Sequence, residues 1–175
     1  LLRERPQDTE NLLQALRCNF EGYEELRAYL QSCPKFGNND EQADAEAVEL
    51  ASRVSELVKG LKNYLGNPFR PDWATPSTHL LYGYWVGATP DGRASREMLN
   101  YGIDPLFGEA SNGLGFRTLS ALKLPYGKFN GGVASHFGVD PKYFTASSYE
   151  EKGLQFRDRI IRPLFFNDMV SGRAP

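Results

Sequence analysis

The stretch "YGYWVGATPDGR", Tyr82 to Arg93, decides how the chain is read. Its first half is aromatic and apolar, the composition of a strand, and it lacks the polar/apolar alternation of a half-buried one. It halts at Pro90-Asp91-Gly92. Proline presets the backbone of the first central turn position, and aspartate and glycine suit those that follow. Residues His79 to Thr89 are therefore expected to form a buried strand that delivers a tight turn. Arg93 is expected to tie down that turn or a nearby carboxylate. Nothing in these residues alone demands more.

Working outward, the N-terminal side reads as helices. Thr9 is a candidate N-cap for "ENLLQAL", Gly22 interrupts, and "YEELRAYLQSC" resumes with Tyr23, Leu26, Tyr29, Leu30 and Cys33 on one face until Pro34. After "NND", apolar residues at Ala43, Ala47, Leu50, Ala51, Val54, Leu57, Val58, Leu61 and Leu65 step by three and four. That is one continuous helical stripe, expected to pack into a core and to stop at Gly66. Residues 67 to 78 hold three prolines and should be irregular.

On the C-terminal side, "LGFRTLSALKL" reads as a helix that groups Phe116, Leu119 and Leu122, with Asn112, Gly113 and Gly115 at its start. A second buried strand is expected at "GGVASHFGV", ended by Asp140-Pro141. Two overlapping capping boxes, Ser147/Glu150 and Ser148/Glu151, open a last helix expected to reach Pro163. Helices thus alternate with apolar strands, which argues for an α/β layout.

Composition narrows the function classes. The 175 residues are 41% hydrophobic and 24% charged with a formal net charge of −2, which gives no basic surplus for a nucleic-acid partner. No apolar run approaches the roughly 20 residues that cross a bilayer, and the charged "LLRERPQDTENLL" is unlike a signal peptide. The start at Leu1 and the end in "SGRAP" lead us to expect a piece of a larger protein. Two cysteines, Cys18 and Cys33, fit reduced thiols and a cytoplasmic setting, and no metal-ligand spacing links them to His79 or His136. Nucleophile elbows, Walker loops, HExxH and EF-hand patterns are absent.

Single features favour plain readings. The glycines of "NGLG" at 112–115 open a helix where exposed amides can hold an anion, yet a helix start that needs close packing is the better reading of them. His136, among small and apolar neighbours, reads first as a packed histidine. Tyr82, Tyr84 and Trp85 could line a pocket, though aromatics in a buried strand are usually core.

In order and together, the segments resemble a known family. "CNFEGYEELRAYLQSCPKFGNND", then "YWVGATPDGR", "NGLGFRTLSALKLP" and "NGGVASHFGVDP" resemble the later catalytic-domain segment of the glycyl radical enzymes, relatives of pyruvate formate-lyase. The pair "PKFGNND" and "GATPDGR", correctly ordered, is the specific part. The resemblance implies an α/β fold, part of a ten-stranded α/β barrel with helices packed outside. Residues 1–175 would be a fragment of one catalytic domain. It also implies an anaerobic radical lyase that binds no cofactor directly. Its glycyl radical is installed by a partner activating enzyme that uses S-adenosylmethionine and an iron–sulfur cluster. A small organic substrate and a homodimer of the full-length protein are the other implied partners, with no nucleic acid and no membrane.

The departures shape the rest. The family's cysteine loop places an acidic residue two positions after the cysteine, where Cys18 has Phe20 and Cys33 has Lys35. "VSGRAP" lacks the arginine and aromatic of the glycyl loop, so Gly172 is not a radical site. No catalytic residue is assigned, and the segment alone is expected to be inactive. "SREMLNYGIDP" and "ASHFG" depart from the diol dehydratases and point to decarboxylation of an arylacetate. Tyr82, Trp85 and His136 then become substrate-pocket candidates, and Thr89, Pro90, Asp91, Gly92 and Arg93 form the family-motif turn. The alternatives are a diol dehydratase or another C–O or C–N lyase of the same family, and a non-catalytic truncated paralogue.

Overall fold

The structure, a computed structural model, describes residue 5 and residues 8–74, 78–106, 108–136 and 138–165, with the backbone alone at residues 164 and 165. Gly172 lies outside the described residues.

Helix α1 runs Thr9–Arg17 with Asp8, not Thr9, at the N-cap position. The chain then turns sharply through Asn19 (φ 56°), Phe20 (φ 65°) and Gly22 (φ 75°). A left-handed backbone costs an aromatic residue on the order of 1–3 kcal/mol. Here it drives the Phe20 ring into a core with Leu12, Ala15 and Leu30. Helix α2, Glu24–Ser32, supplies Leu26, Tyr29 and Leu30 to the same cluster. Its end is set by Pro34, which holds Cys33 extended (φ −63°, ψ 151°).

Helix α3, Glu41–Gly60, is capped by Asp40, whose carboxylate accepts from Ala43 N at 2.9 Å. Its end comes at Gly60, six residues before the expected Gly66. The Asn63 side chain accepts from the amides of Leu65 and Asn67, and Phe69 N donates to Leu61 O, so a tight turn replaces further helix. The stripe is also only partly core. Ala51 packs with Leu124 and Phe129, flanked by Ala47, Val48 and Trp73. Leu50, Val54, Leu57 and Leu61 remain exposed.

The largest departure from expectation is at the opening stretch. Residues His79–Trp85 form a helix, α4, not a buried strand, and the chain becomes extended only at Val86. Leu80, Leu81, Tyr82, Tyr84 and Trp85 are all exposed, and Gly83 is the buried residue of the helix. A Cβ at Gly83 would stand 2.4 Å from Glu97 O and 2.8 Å from Met98 Cα. The packed face of α4 is thus backbone against backbone, and the aromatic side chains point elsewhere.

Among the described residues the sheet is small. Strand β1, Asp72–Trp73, pairs in parallel with β2, Gly132–Val133, with Asp72 opposite Gly132 and Trp73 opposite Val133. The expected strand through "GGVASHFGV" is therefore two residues long, with Val133 exposed, followed by an isolated antiparallel bridge from Ser135 to Gly102. Between the strands lies α5, Leu114–Leu122, as expected, but Phe116, Leu119 and Leu122 share an exposed face while Ser120 is buried.

The C-terminal helix α6, Tyr149–Phe156, uses the second of the two capping boxes: Ser148 Oγ accepts from Glu151 N at 3.2 Å. It does not stop at Pro163. A π turn, Arg157–Ile161, leads into α7, Arg162–Phe165, and Arg162 N donates to Arg157 O. The wider turn accommodates a proline that cannot donate to the helix. The described part is thus a helix-rich α/β arrangement with two apolar clusters.

Candidate functional site

Both signature segments act as joints. In "PKFGNND", Lys35 Nζ donates to Leu30 O and Cys33 O at the end of α2. Asn38 Nδ2 donates to Glu109 O at 2.6 Å, Asn38 Oδ1 accepts from Asn112 N, and Asn39 N donates to Ser120 Oγ at 2.8 Å. The motif therefore fastens the α2–α3 connection to the residues leading into α5.

In "ATPDGR" the turn is closed by Thr89 N on Arg93 O (3.0 Å), by Gly92 N on Thr89 O (3.1 Å), and by Thr89 Oγ1 on Asp91 Oδ1 (2.5 Å). Asp91 also accepts from Arg93 N. Arg93 is only 2% exposed, and its guanidinium donates to Thr89 Oγ1, Ala94 O, Glu97 O, Val86 O and Gly87 O. It binds carbonyls rather than the carboxylate that was the other expectation.

The two joints flank an open cleft of about 420 Å³ lined by Tyr101, Asp104, Leu114, Arg117 and both histidines. His79 and His136, distant in sequence, meet on either side of one ring. The His79 and Tyr101 centroids lie 4.4 Å apart at 64°, and those of Tyr101 and His136 lie 3.9 Å apart at 66°. His79 Nδ1 is buried without a hydrogen-bond partner. Behind this wall Asp104, 8% exposed, pairs with the Arg117 guanidinium and accepts from Ser135 Oγ (2.7 Å) and from the His136 backbone amide. Arg117 also donates to His136 O, so the ion pair grips His136 at both its N–H and its C=O. A nearly buried pair whose carboxylate oxygens all have donors is positioned to hold geometry.

Gly102 (φ 63°) carries the turn between Tyr101 and Asp104, and a Cβ there would stand 2.0 Å from Ala134 O. Ile103 N donates to the same Ala134 O at 2.9 Å. Tyr126 has its phenol pushed above the usual value by burial and then by the Asp104 charge, and it donates to Ala121 O at 2.8 Å.

Of the three residues expected in a pocket, His136 lines this cleft, whereas Tyr82 and Trp85 stand on the exposed side of α4. The Thr89–Arg93 turn lies outside the cleft lining and reaches it only through the backbone that follows. Cys18 and Cys33 donate to main-chain carbonyls and do not line it. Sequence reasoning missed Tyr101, Asp104 and Arg117. The available signal was Arg117, a lone cation within the otherwise neutral helix "LGFRTLSAL". Among the described residues, no group of three or more His, Cys, Asp or Glu side chains could hold a metal ion. No helix there is long and apolar enough to cross a membrane.

The chain is similar to known proteins in sequence and in fold. Residues 3–83 match the family model described as pyruvate formate lyase-like. The chain is 30% identical over 162 residues to the trans-4-hydroxy-L-proline dehydratase of Clostridioides difficile, which covers 92% of this chain and 20% of that protein. A Roseburia inulinivorans structure described for 1,2-propanediol dehydration is similar with a TM-score of 0.78 and 26% identity, over 91% of this chain and 21% of that one. A glycyl radical enzyme from Archaeoglobus fulgidus is similar with a TM-score of 0.76 and 28% identity, over 83% and 18%. The chain thus spans about a fifth of the length of these relatives.

Proposed function

The chain belongs to the glycyl radical enzymes of the pyruvate formate lyase-like family, and from that premise we propose that it is part of a lyase that removes water from a small hydroxylated substrate. The observation that carries this reading is the 30% identity to a hydroxyproline dehydratase across 92% of the chain. Residues 1–175 then form one piece of a single catalytic domain and contribute to its ten-stranded barrel. The radical cysteine and glycine lie elsewhere in the full-length protein, and this segment alone is inactive.

A glycyl radical, installed by an S-adenosylmethionine-dependent iron–sulfur activase, supplies hydrogen abstraction from substrate carbon. The residues of this segment bind and orient the substrate and exclude water, which protects radical chemistry from side reactions. Within the cleft, the Tyr101 hydroxyl and the His136 imidazole offer hydrogen bonds to a hydroxyl or carboxylate, while Asp104 and Arg117 keep His136 in place. A homodimeric, cytoplasmic full-length protein belongs to the same reading.

Decarboxylation of an arylacetate was expected from the departures at "SREMLNYGIDP" and "ASHFG", with Tyr82 and Trp85 as a wall suited to an aromatic substrate beside His136. Those two side chains do not line the cleft that His136 lines, so dehydration is the better-supported chemistry.

The test is anaerobic activation of the full-length protein, followed by a panel of trans-4-hydroxy-L-proline, propane-1,2-diol, choline and hydroxyphenylacetate. A glycyl doublet by electron paramagnetic resonance, with water lost from one of the first two, is the expected result. Turnover confined to hydroxyphenylacetate would restore the decarboxylase. No doublet with a competent activase would leave the truncated, non-catalytic paralogue.

A further inference from the structure

We propose that Arg93 is a positioning residue for the cleft. Its guanidinium fixes the register of α4 against residues 94–101 and thereby holds His79 and Tyr101 in the wall that, on the reading above, faces substrate.

The turn itself does not need this side chain. Two backbone hydrogen bonds and the Thr89–Asp91 side-chain pair already close it. Four of the five guanidinium bonds leave the turn altogether. One pair reaches back to Val86 O and Gly87 O, just after α4, and the other reaches forward to Ala94 O and Glu97 O at 3.0 and 2.6 Å. The fifth goes to Thr89 Oγ1 at 3.2 Å. All five N–H groups of a side chain 2% exposed are therefore used, and none of these partners is a carboxylate. Burying a cation among neutral carbonyls is costly unless every donor is matched, so this arrangement tolerates little movement of either segment.

Two further contacts constrain the same pair of segments, and a third ties the turn and residue 97 to α2. Gly83 of α4 lies so close to Glu97 O that no Cβ fits. Arg96 adopts φ 71° and sets its guanidinium 5.1 Å from the Tyr84 ring centroid. Arg27 of α2 donates to Gly92 O at 2.9 Å and pairs with Glu97 at 3.3 Å. The register so defined continues into the cleft. Leu99 N reaches His79 O at 3.5 Å, and Tyr101 packs its ring on His79 and then on His136. A lysine keeps the charge but has three donors and no planar fork, so it cannot span both pairs of carbonyls.

The experiment uses the full-length protein carrying Arg93→Lys or, separately, Gly83→Ala, which disturbs the same register while leaving the guanidinium intact. Carbethoxylation of His79 and His136 is followed residue by residue by mass spectrometry, alongside hydrogen exchange of peptides from 79–104. Both variants should label His79 several-fold faster and accelerate exchange through Tyr101, with the α5 peptide unchanged. In the activated enzyme the glycyl doublet should keep its wild-type yield. A wall displaced by about 1 Å should then lower kcat/KM on the order of 100-fold.

Wild-type labelling of His79 in Arg93→Lys would overturn the proposal, because Arg93 would then serve only its own turn. If that variant fails to fold, native-state exchange of the wild type decides. Residues 86, 97, 99 and 101 should open as one unit, and independent opening would overturn the proposal. The labelling results do not depend on turnover, so failure of the dehydratase reading would be seen separately, as a wall that moves in a protein without that activity.

Discussion

At the scale of single residues, the segments around the cleft are held by side chains whose partners are mostly main chain. Arg93, Asn38, Lys35 and Arg117 all donate to carbonyls. Such contacts read backbone position rather than side-chain identity, which suits residues that hold loops in place. Tyr126 shows how one such bond responds to pH. Burial first, and the Asp104 charge second, raise its folded-state pKa above the unfolded value of about 10. The unfolded chain therefore releases this proton at lower pH than the folded one. Tyr126 contributes no pH dependence below about 10, and stability falls as pH rises from there through the raised folded value. Tyr126→Phe should flatten this alkaline loss in thermal denaturation of the full-length protein between pH 9 and 11, at the cost of the bond to Ala121 O. An unchanged alkaline slope would remove the phenol from the account.

At the scale of elements, helix ends were set by caps that a sequence displays in part. Of the two overlapping boxes before α6, only the Ser148 hydroxyl reaches a backbone amide, that of Glu151. Ser148→Ala should destabilise α6 by about 1 kcal/mol, whereas Ser147→Ala should change it by a few tenths at most. Local hydrogen exchange of the 149–156 peptide measures the difference. Helices α1, α2, α3 and α5 were legible because apolar residues recur at steps of three and four. Helix α4 was not, because its aromatic composition imitates a strand, and the residue that governs its packing is a glycine with no side chain to betray it. Of the pocket candidates read from the sequence, His136 alone lines the candidate cleft. The meeting of His79 with Tyr101 depends on the α4 register, which no local pattern encodes. Arg117 could have prompted a search for its carboxylate, since a lone arginine in an apolar helix needs a partner.

At the scale of the whole molecule, the described residues leave much apolar surface open. Leu50, Leu57 and Leu61 lie at 62%, 72% and 59% exposure along α3, and Leu80 and Trp85 at 60% and 65% on α4. Exposed apolar faces on two helices are the kind of surface that takes part in an interface. Residues 1–175 produced alone should therefore self-associate at micromolar concentration, as sedimentation velocity would show. The double substitution Leu57→Lys and Trp85→Ser should shift the distribution toward monomer. A monodisperse wild-type segment would mean that these faces pack on each other in solution.

The two apolar clusters also differ in how they can come together in time. Leu12, Ala15, Phe20 and Leu30 lie within one short span of chain, so they can close soon after α2 leaves the ribosome. Ala51 must wait for Leu124 and Phe129. Contacts between neighbours in sequence form before those that demand a long loop. The cleft needs His79, Arg117 and His136 together, so it is among the last parts to assemble. During synthesis its wall is missing long after the first helices are home.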